Sequence, residues 1–466
     1  MATIDSRVPA PIQHRGEEQS NEHRRRLVET EPHCLRTFTP SLAVFARSAG
    51  SYHWTPEGRM LADFTSGVLV ANLGHNPTRW WKNLLGYLGL PELSQQTDEY
   101  VASVPLTAYN AATEVEIEAS RRLLANLQSQ PGGARCEQVM WAASGSEAVQ
   151  KALWAALHQQ PGKDIILATR FGFHGKKGLA GAVTGSEKDP ERDRRVRFIS
   201  FPMEECINLE RRQQPLDLAP YEDELQRLLE EYGDRLCCLI TEPYLGGGGS
   251  FHPQREYLQL LQRFCRENNL VFILDEVQAN FGRTGAMYAF SHYGVEPDIV
   301  VLGKGLGNGV PVSAAVGRAD LFAAMTYGEG SDTWSANPLS SAAVLATLDE
   351  FEGRDVMGNA AELSKVIERG LVRLVETGVV KHVRGEGTVW GIECAAIGQH
   401  SPADVANSLV QACYLGDDAG RAIHLLGPLA GKVIRVSPPL TMDLAECQGY
   451  LDAMFNIAQN VKRNLS

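Results

Sequence analysis

The sequence of 466 residues lacks any apolar run that approaches the length of a membrane span, so no membrane-spanning segment is expected. Excess positive charge is also absent. The formal net charge of −12 argues against nucleic acid or an anionic membrane as a partner. The first thirty residues contain no apolar stretch of the kind found in secretory signals, and their glutamates disfavour a transit peptide. These absences together predict a cytoplasmic protein.

The nine cysteines are scattered and lack the paired short spacings of a metal site, so we expect no metal. Most of them are expected to be buried thiols in a reducing compartment. The length exceeds that of one compact core, which favours two domains. With 44% hydrophobic and 21% charged residues, the composition is that of an ordinary soluble globular enzyme.

The order of apolar runs predicts an α/β fold. Residues 1 to about 50 read as a polar, partly disordered arm, and a hairpin follows around Pro56-Glu57-Gly58. From about residue 138 strands alternate with helical patterns, which predicts a mostly parallel seven-stranded sheet flanked by helices. The candidate strands are 138–143, 164–168, 197–201, 236–241, 271–274, 299–302 and 313–316.

The remainder of the chain predicts a smaller α+β domain. Two amphipathic helices, 340–351 and 358–377, precede a tail with a strand, helix, strand, helix pattern. The tail segments are 380–394, 402–414, 433–436 and 443–462. We therefore divide the chain into an N-terminal arm and segment joining the small domain (1–70), a large domain (71–337) and a C-terminal small domain (338–466).

Asp275 and Lys304 are the most informative pair of residues. Each follows an apolar run, 271–274 or 299–302, at the strand end where open α/β sheets bind ligands. A carboxylate and an amine in one crevice suit pyridoxal phosphate, because the lysine would form a Schiff base and the aspartate would keep the pyridine nitrogen protonated. An ordinary surface lysine is the alternative. The Gly-Lys-Gly segment lacks the residue order of a P-loop.

Three further segments fall at predicted strand ends. The turn around Gly145 and Ser146 opens a helix and could cradle a phosphate or be an ordinary capped helix. Phe173 could stack on a planar ring or close a core edge, and His174 could contact the cofactor or serve as a structural hydrogen-bonder. Glu242 precedes a glycine run that permits close backbone approach, although a flexible loop fits equally well.

Five motifs stand in the order seen in class III aminotransferases, and the resemblance covers nearly everything from about residue 50 to the end. The motifs are 144–148, 275–285, 303–304, 333–339 and 434–440. The resemblance implies fold type I, pyridoxal phosphate as cofactor and a homodimer with the site at the subunit interface. It implies the following contacts: Lys304 to the cofactor aldehyde, Asp275 to the ring nitrogen, Gln278 to the phenolic oxygen, Phe173 to the ring face, Gly145 and Ser146 to the phosphate, and Thr333 to the phosphate of the other subunit.

Departures from the family pattern bear on the substrate. Lys176 occupies a position that is often arginine in members that grip a carboxylate, and a lysine lacks the bidentate fork. Gly247 replaces a glutamate that restrains the equivalent of Arg435 in ornithine-type members, so Arg435 is expected to bind an acceptor carboxylate. Tyr109 matches an aromatic of the donor pocket in those relatives, or is a core tyrosine.

The sequence therefore predicts an aminotransferase that moves a terminal amino group from a diamine or ω-amino acid to a 2-oxo acid in ping-pong fashion. The donor would resemble putrescine, 4-aminobutyrate or ornithine. Aminomutase or racemase chemistry on the same fold is the alternative, because it would use the same lysine and aspartate. A catalytically silent binding scaffold is disfavoured by the intact Lys304, Asp275 and Gln278.

Overall fold

The computed structural model describes residues 12–35, 37–90, 97–189 and 193–466. Its strands are β1 (Arg47–Ala49), β2 (Tyr52–Trp54), β3 (Met60–Asp63), β4 (Gln138–Ala142), β5 (Ile165–Thr169), β6 (Val196–Ile199), β7 (Leu236–Thr241), β8 (Val271–Asp275), β9 (Ile299–Leu302), β10 (Ser313–Gly317), β11 (Val380–Glu386), β12 (Val389–Cys394), β13 (Ala422–His424) and β14 (Val433–Val436).

Helices connect most of these strands. They are α1 (Glu18–Thr30), α2 (Ser66–Leu69), α3 (Thr78–Tyr87), α4 (Glu114–Gln128), α5 (Gly145–Gln159), α6 (Gly178–Ala182), α7 (Leu209–Arg212), α8 (Ala219–Tyr232), α9 (Arg255–Glu267), α10 (Ala289–Tyr293), α11 (Ala319–Ala323), α12 (Pro338–Gly353), α13 (Val356–Arg373), α14 (Pro402–Leu415) and α15 (Leu444–Leu465).

A seven-stranded sheet in the order β4-β10-β9-β8-β7-β5-β6 forms the centre of the large region. Only β10 runs antiparallel to its neighbours β4 and β9, and the other described pairings in this sheet are parallel. Strands β7, β8 and β9 are buried along their whole length, which explains their continuous apolar sequences. The seven predicted strands are confirmed to within two residues at each end.

Alternate residues of each central strand enter two different cores. In β8, Phe272 and Leu274 join the core that includes α9 and α12, whereas Val271 and Ile273 join the core that includes α5. Successive side chains of a strand point to opposite faces, so helices cover both sides of the sheet. The same alternation directs Asp275, at the end of β8, toward the face covered by α5.

The C-terminal region contains an antiparallel sheet in the order β11-β12-β14, with α13, α14 and α15 in its core. The predicted single strand 380–394 was wrong in one respect, because the chain reverses between β11 and β12. Gly387 at this turn has a φ of +52°, and a Cβ there would meet the Arg283 carbonyl oxygen at 2.5 Å. Strand β3 pairs in parallel with β13, so the N-terminal strands join a sheet with a C-terminal strand.

The N-terminal arm contains structure that the sequence analysis did not predict. Helix α1 docks through the fully buried Arg24, which donates hydrogen bonds to Glu17, Tyr414 and the Leu42 carbonyl oxygen. Because this contact is polar, the sequence of α1 lacks the apolar stripe from which a packed surface helix is usually predicted. Among the described residues no helix is both long and apolar enough to cross a membrane.

Candidate active site

A cavity of about 220 Å³ lies where the segments following β4, β5, β7, β8 and β9 meet. These are carboxyl ends of parallel strands, which is where open α/β sheets bind their ligands. The lining residues are Ser144, Gly145, Ser146, Phe173, His174, Gly175, Glu242, Asp275, Val277, Gln278, Lys304 and Ser313. Eight of the twelve predicted site residues therefore line one cavity. Arg435 contacts the lining residue Gln278, and the other three predicted residues lie elsewhere.

Asp275 is held in one orientation by two hydrogen bonds. Its Oδ2 lies 2.7 Å from His174 Nδ1, and its Oδ1 accepts a hydrogen bond from the Val277 backbone N–H at 3.0 Å. Both side chains are buried. His174 lines the cavity but bonds to Asp275, so it acts on the aspartate's orientation, and its buried Nε2 has no hydrogen-bond partner.

Lys304 begins a 3₁₀ turn directly after β9, with a left-handed φ of +48°. Burial and the nearby Arg435 charge lower the pKa of Lys304 to about 7, against the opposing influence of Glu242 and Asp275. The neighbouring glycines are required sterically, since a Cβ at Gly303 would lie 2.7 Å from Ser313 Oγ. An amine with a pKa near 7 is present in part as the uncharged form at neutral pH, and that form is the nucleophile.

Glu242 follows β7 and is buried at the cavity wall. Its Oε2 accepts a hydrogen bond from the Phe173 backbone N–H at 2.8 Å, which fixes the position of the aromatic residue. Burial is the main cause that raises the pKa of Glu242 to about 7, and the Asp275 charge adds to it. The ring of Phe173 remains 40% exposed, so one of its faces is free to meet a planar ligand.

The first turn of α5 supplies an anion cradle. Ser144 caps the helix in a capping box with Glu147, which places the backbone N–H groups of the first turn at the cavity. Gly175 has a φ of +145°, and a Cβ there would meet Ser146 Oγ at 2.3 Å. A cradle for phosphate, an amine on the wall and a buried carboxylate are the groups that pyridoxal phosphate requires, so the residues present fit this cofactor.

Arg435 on β14 reaches the cavity wall through Gln278. Its Nη1 donates a hydrogen bond to Gln278 Oε1 at 3.0 Å, whereas its buried Nε has no partner. Burial lowers the pKa of Arg435. Gly246 permits this arrangement, because a Cβ at that position would lie 2.3 Å from Gln278 Oε1.

Three predicted site residues do not line this cavity. Lys176 is exposed and lines a neighbouring cavity of about 740 Å³. Thr333 is exposed on a loop that Lys151 anchors through a 2.7 Å contact to Asp332. The Tyr109 hydroxyl lies 3.3 Å from Ser331 Oγ on the same loop, and the Tyr109 side chain is 53% exposed.

Sequence reasoning missed Ser144 and Ser313 as lining residues. Ser144 had a readable signal, because a serine three positions before a glutamate predicts a capping box at a helix start. Ser313 begins β10, which runs antiparallel to β4 and β9, so the amino end of β10 reaches the edge where its neighbours have their carboxyl ends. Strand direction of this kind could not be read from the apolar pattern.

The fold and the site together define a pyridoxal-phosphate-dependent transferase of fold type I. Residues 36–458 match the family model described as aminotransferase class-III, and the chain belongs to this family. It is 30% identical over 397 residues to the acetylornithine aminotransferase of Bacillus subtilis (strain 168), covering 85% of this chain and 90% of that protein. The enzyme is therefore a transaminase whose cofactor is pyridoxal 5′-phosphate.

Solved structures share the architecture. An amine transaminase from an uncultivated Pseudomonas species, in its PLP-bound form, is similar with a TM-score of 0.75 and 27% identity, over 94% of this chain and 97% of that one. The ornithine aminotransferase of Toxoplasma gondii gives a TM-score of 0.77 at 21% identity, over 97% of this chain and 96% of that one. The latter likeness supports the fold alone.

The lowered pKa of Lys304 predicts the pH dependence of cofactor capture. In the cofactor-free enzyme, the neutral fraction of this amine should fall about tenfold per pH unit below pH 7 and be nearly constant above it. The rate of covalent capture of pyridoxal phosphate, followed by absorbance, should show the same profile. A rate that continues to rise to pH 10 would indicate an ordinary lysine. In Arg435→Gln the midpoint should move upward, because the neighbouring positive charge is gone.

Proposed function

We propose that the enzyme moves a terminal amino group from a diamine or ω-amino acid to a 2-oxo acid by a ping-pong mechanism. The donor would resemble putrescine, 4-aminobutyrate or ornithine. The observation that carries the proposal is the buried Arg435 guanidinium, which bonds to the neutral Gln278 and leaves its Nε without a partner. A buried cation of this kind is strongly stabilised by a carboxylate.

A 2-oxo acid would supply the carboxylate that Arg435 lacks. Among the described residues no carboxylate forms an ion pair with Arg435. The family resemblance implies a glutamate at position 247 in ornithine-type members, whereas this chain has glycine, and a Cβ on it would lie 3.1 Å from the Phe173 Cβ. A side chain at 247 would therefore crowd Phe173, whereas glycine leaves the guanidinium open to an incoming acceptor.

The donor side of the proposal rests on Lys176. This residue is exposed in the larger neighbouring cavity, which shares Ser144, Ser146 and Phe173 with the smaller one. An ammonium does not offer the planar fork that binds a carboxylate in two places. We therefore propose donors whose reacting amine is on a terminal carbon, with no carboxylate next to it.

The chain's own residues would share the chemical work. Pyridoxal phosphate, when bound, supplies the carbonyl carbon that carries the amino group and a ring that accepts electrons. The Lys304 Nζ, whose pKa is lowered to about 7, would move a proton from the donor carbon to the former aldehyde carbon of the cofactor, and in the second half-reaction from that carbon to the acceptor carbon. Asp275, held by His174, would stabilise a proton on the ring nitrogen. Glu147 and Ser144 would keep the phosphate cradle in place.

We propose that two copies of the chain complete each site. Thr333 and Tyr109 lie on two exposed loops that meet where the Tyr109 hydroxyl contacts Ser331, and neither residue lines the cavity of its own chain. Thr333 would then contact the phosphate bound by the partner copy, as the family resemblance implies. Sedimentation should show a dimer of the holoenzyme, and a monomer with full activity would contradict this arrangement.

Replacing Arg435 tests the acceptor assignment. In Arg435→Gln the KM for 2-oxoglutarate or pyruvate should rise about 10- to 150-fold, because hydrogen bonds to charged groups contribute about 1.5–3 kcal/mol. Measured well above the Lys304 midpoint, where that amine is neutral in both enzymes, the half-reaction with a diamine should change by less than about threefold. A matched control is Lys432→Gln, which removes a cation that flanks β14 and pairs with Glu393. Equal losses in both half-reactions of Arg435→Gln would refute the assignment.

A half-reaction without acceptor separates transamination from mutase or racemase chemistry. A transaminase mixed with putrescine alone should release one equivalent of carbonyl product per bound cofactor and then stop until a 2-oxo acid is added. An isomerase would release none. A screen of putrescine, ornithine, 4-aminobutyrate and acetylornithine against pyruvate and 2-oxoglutarate then identifies the substrates. A strong requirement for an α-amino acid that reacts at its α-amine would contradict the proposal.

A further inference from the structure

A second cluster of chemically active side chains lies in the sheet β1-β2-β3-β13, outside the lining of the active-site cavity. His53 on β2, Asp63 at the end of β3 and His75 each direct one ligand atom to a common point, with all three atoms within 4.8 Å of one another. Asp63 Oδ2 lies 2.7 Å from His75 Nε2 and 3.6 Å from His53 Nε2. Ligands at about 2.0–2.2 Å from a tetrahedral zinc ion are about 3.3–3.6 Å apart, so the Asp63–His53 separation fits directly, whereas the Asp63–His75 hydrogen bond would have to lengthen by roughly 0.6 Å when the ion enters.

The hydrogen-bond partners of His53 are compatible with a cation at this point. Its Nδ1 lies 2.7 Å from Ser48 Oγ, whereas its Nε2 is buried and has no hydrogen-bond partner. If Nδ1 carries the proton and donates it to Ser48, the Nε2 lone pair is directed at the cluster with nothing to bind. Metal-bound histidines use the second ring nitrogen in this way, to fix the ring and its tautomer.

Asp63 is also oriented for a ligand. Its Oδ1 accepts hydrogen bonds from the backbone N–H and the hydroxyl of Thr65, at 2.8 and 2.7 Å. The other oxygen, Oδ2, therefore faces the two imidazoles. Asp63 has no exposed surface, and the ring of Phe45 stacks on His53 at 3.8 Å between centroids, so the cluster is shielded from bulk water.

A route to the cluster exists on the His75 side. The His75 side chain is 18% exposed and lines a surface cavity of about 370 Å³. An ion could exchange through this cavity without unfolding of the strands. A plain hydrogen-bonding role for the cluster accounts for the short Asp63–His75 contact, but it leaves the buried His53 Nε2 unsatisfied, at a cost of about 1–3 kcal/mol.

We propose that His53, Asp63 and His75 bind one divalent zinc ion. Two imidazoles and one carboxylate form a donor set that zinc accepts with water in the fourth position. The ion would tie β2 and β3 to the segment that leads into α3. This inference departs from the expectation of no metal, which was based on cysteine spacing. The three ligands are spread over 23 residues of sequence, 53 to 75, in no recognised metal-binding spacing.

Zinc binding to the chelator-treated holoenzyme tests the proposal, with Zn²⁺ alone as the probe and no amine substrate present. Elemental analysis after dialysis should give one zinc per chain, and Co²⁺ in its place should give a visible spectrum without the bands of thiolate ligation. His75→Gln and His53→Gln should each weaken zinc binding by at least about 100-fold, whereas Ser48→Ala should weaken it by about tenfold.

His158→Gln provides the matched control. His158 is an exposed histidine whose Nε2 lies 2.8 Å from Glu329, so it has a carboxylate partner but no second imidazole. The His158→Gln enzyme should bind as much zinc per chain as the unmodified enzyme. Less than 0.1 zinc per chain in the unmodified enzyme, or unchanged affinity in both His53→Gln and His75→Gln, would overturn the proposal. Transaminase activity is not needed for either readout, so the result does not depend on the proposed substrates.

Discussion

Lys304→Ala should lose transaminase activity by about 10⁴-fold or more while it still binds pyridoxal phosphate noncovalently. The change removes both the amine that joins the cofactor and the group proposed to move protons. The phosphate cradle at α5 and the Asp275–His174 pair do not involve the lysine side chain, so they should remain. Turnover with the best donor and acceptor, together with cofactor content by absorbance, measures both parts of the prediction.

The control for this variant is Lys365→Ala, which removes an exposed lysine paired with Glu362. It should have the activity of the unmodified enzyme. Borohydride treatment of the unmodified holoenzyme, followed by mass spectrometry of peptides, should label Lys304. Turnover of Lys304→Ala within tenfold of the unmodified enzyme, or label on a different lysine, would show that the assignment is wrong.

Asp275→Asn should reduce kcat by about 10³-fold or more with little change in the shape of the site. Asparagine has nearly the same size, but it carries no charge to stabilise a proton on the ring nitrogen. Because the asparagine is neutral, His174 Nδ1 would also lose its anionic partner. Single-turnover kinetics with a diamine should show that the proton-transfer step is slowed, whereas the affinity for the donor should change by less than about tenfold.

Asp298→Asn separates this effect from the general cost of removing a buried carboxylate. Asp298 lies at the opposite end of the same strands, where its Oδ2 accepts a hydrogen bond from the Phe272 backbone N–H at 2.9 Å. It pairs with Arg318, so its replacement should lower the thermal midpoint. The kcat of Asp298→Asn should stay within about threefold of that of the unmodified enzyme. A similar loss of kcat in both variants would indicate that Asp275 acts only through stability.

The sheet and the centre of the site could be predicted because each depends on a short stretch of consecutive residues. Strands β8 and β9 are continuous apolar runs, and the polar residue that ends each run marks the binding edge. Asp275 and Lys304 were therefore identifiable as a pair. The antiparallel direction of β10 and the reversal between β11 and β12 depend on long-range pairing, which apolar periodicity does not encode.

The outlying site residues required information that one chain does not contain. Tyr109 and Thr333 were predicted from the family resemblance, and both side chains are exposed in the single chain. Helix α1 was missed because its attachment depends on the buried Arg24 and distant partners such as Tyr414. A polar residue of that kind resembles an ordinary surface arginine when the sequence is read alone.

The left-handed backbone of Lys304 means that the reactive residue is also a weak point of the framework. In that conformation a residue other than glycine or asparagine lowers the free energy of unfolding by an amount of the order of 1 kcal/mol. Burial of the lysine amine away from water lowers it further. Glycine at position 304 would remove both the backbone strain and the buried amine. The chemistry at this position therefore opposes stability: the amine that joins the cofactor stands on a backbone conformation that would be less strained without its side chain.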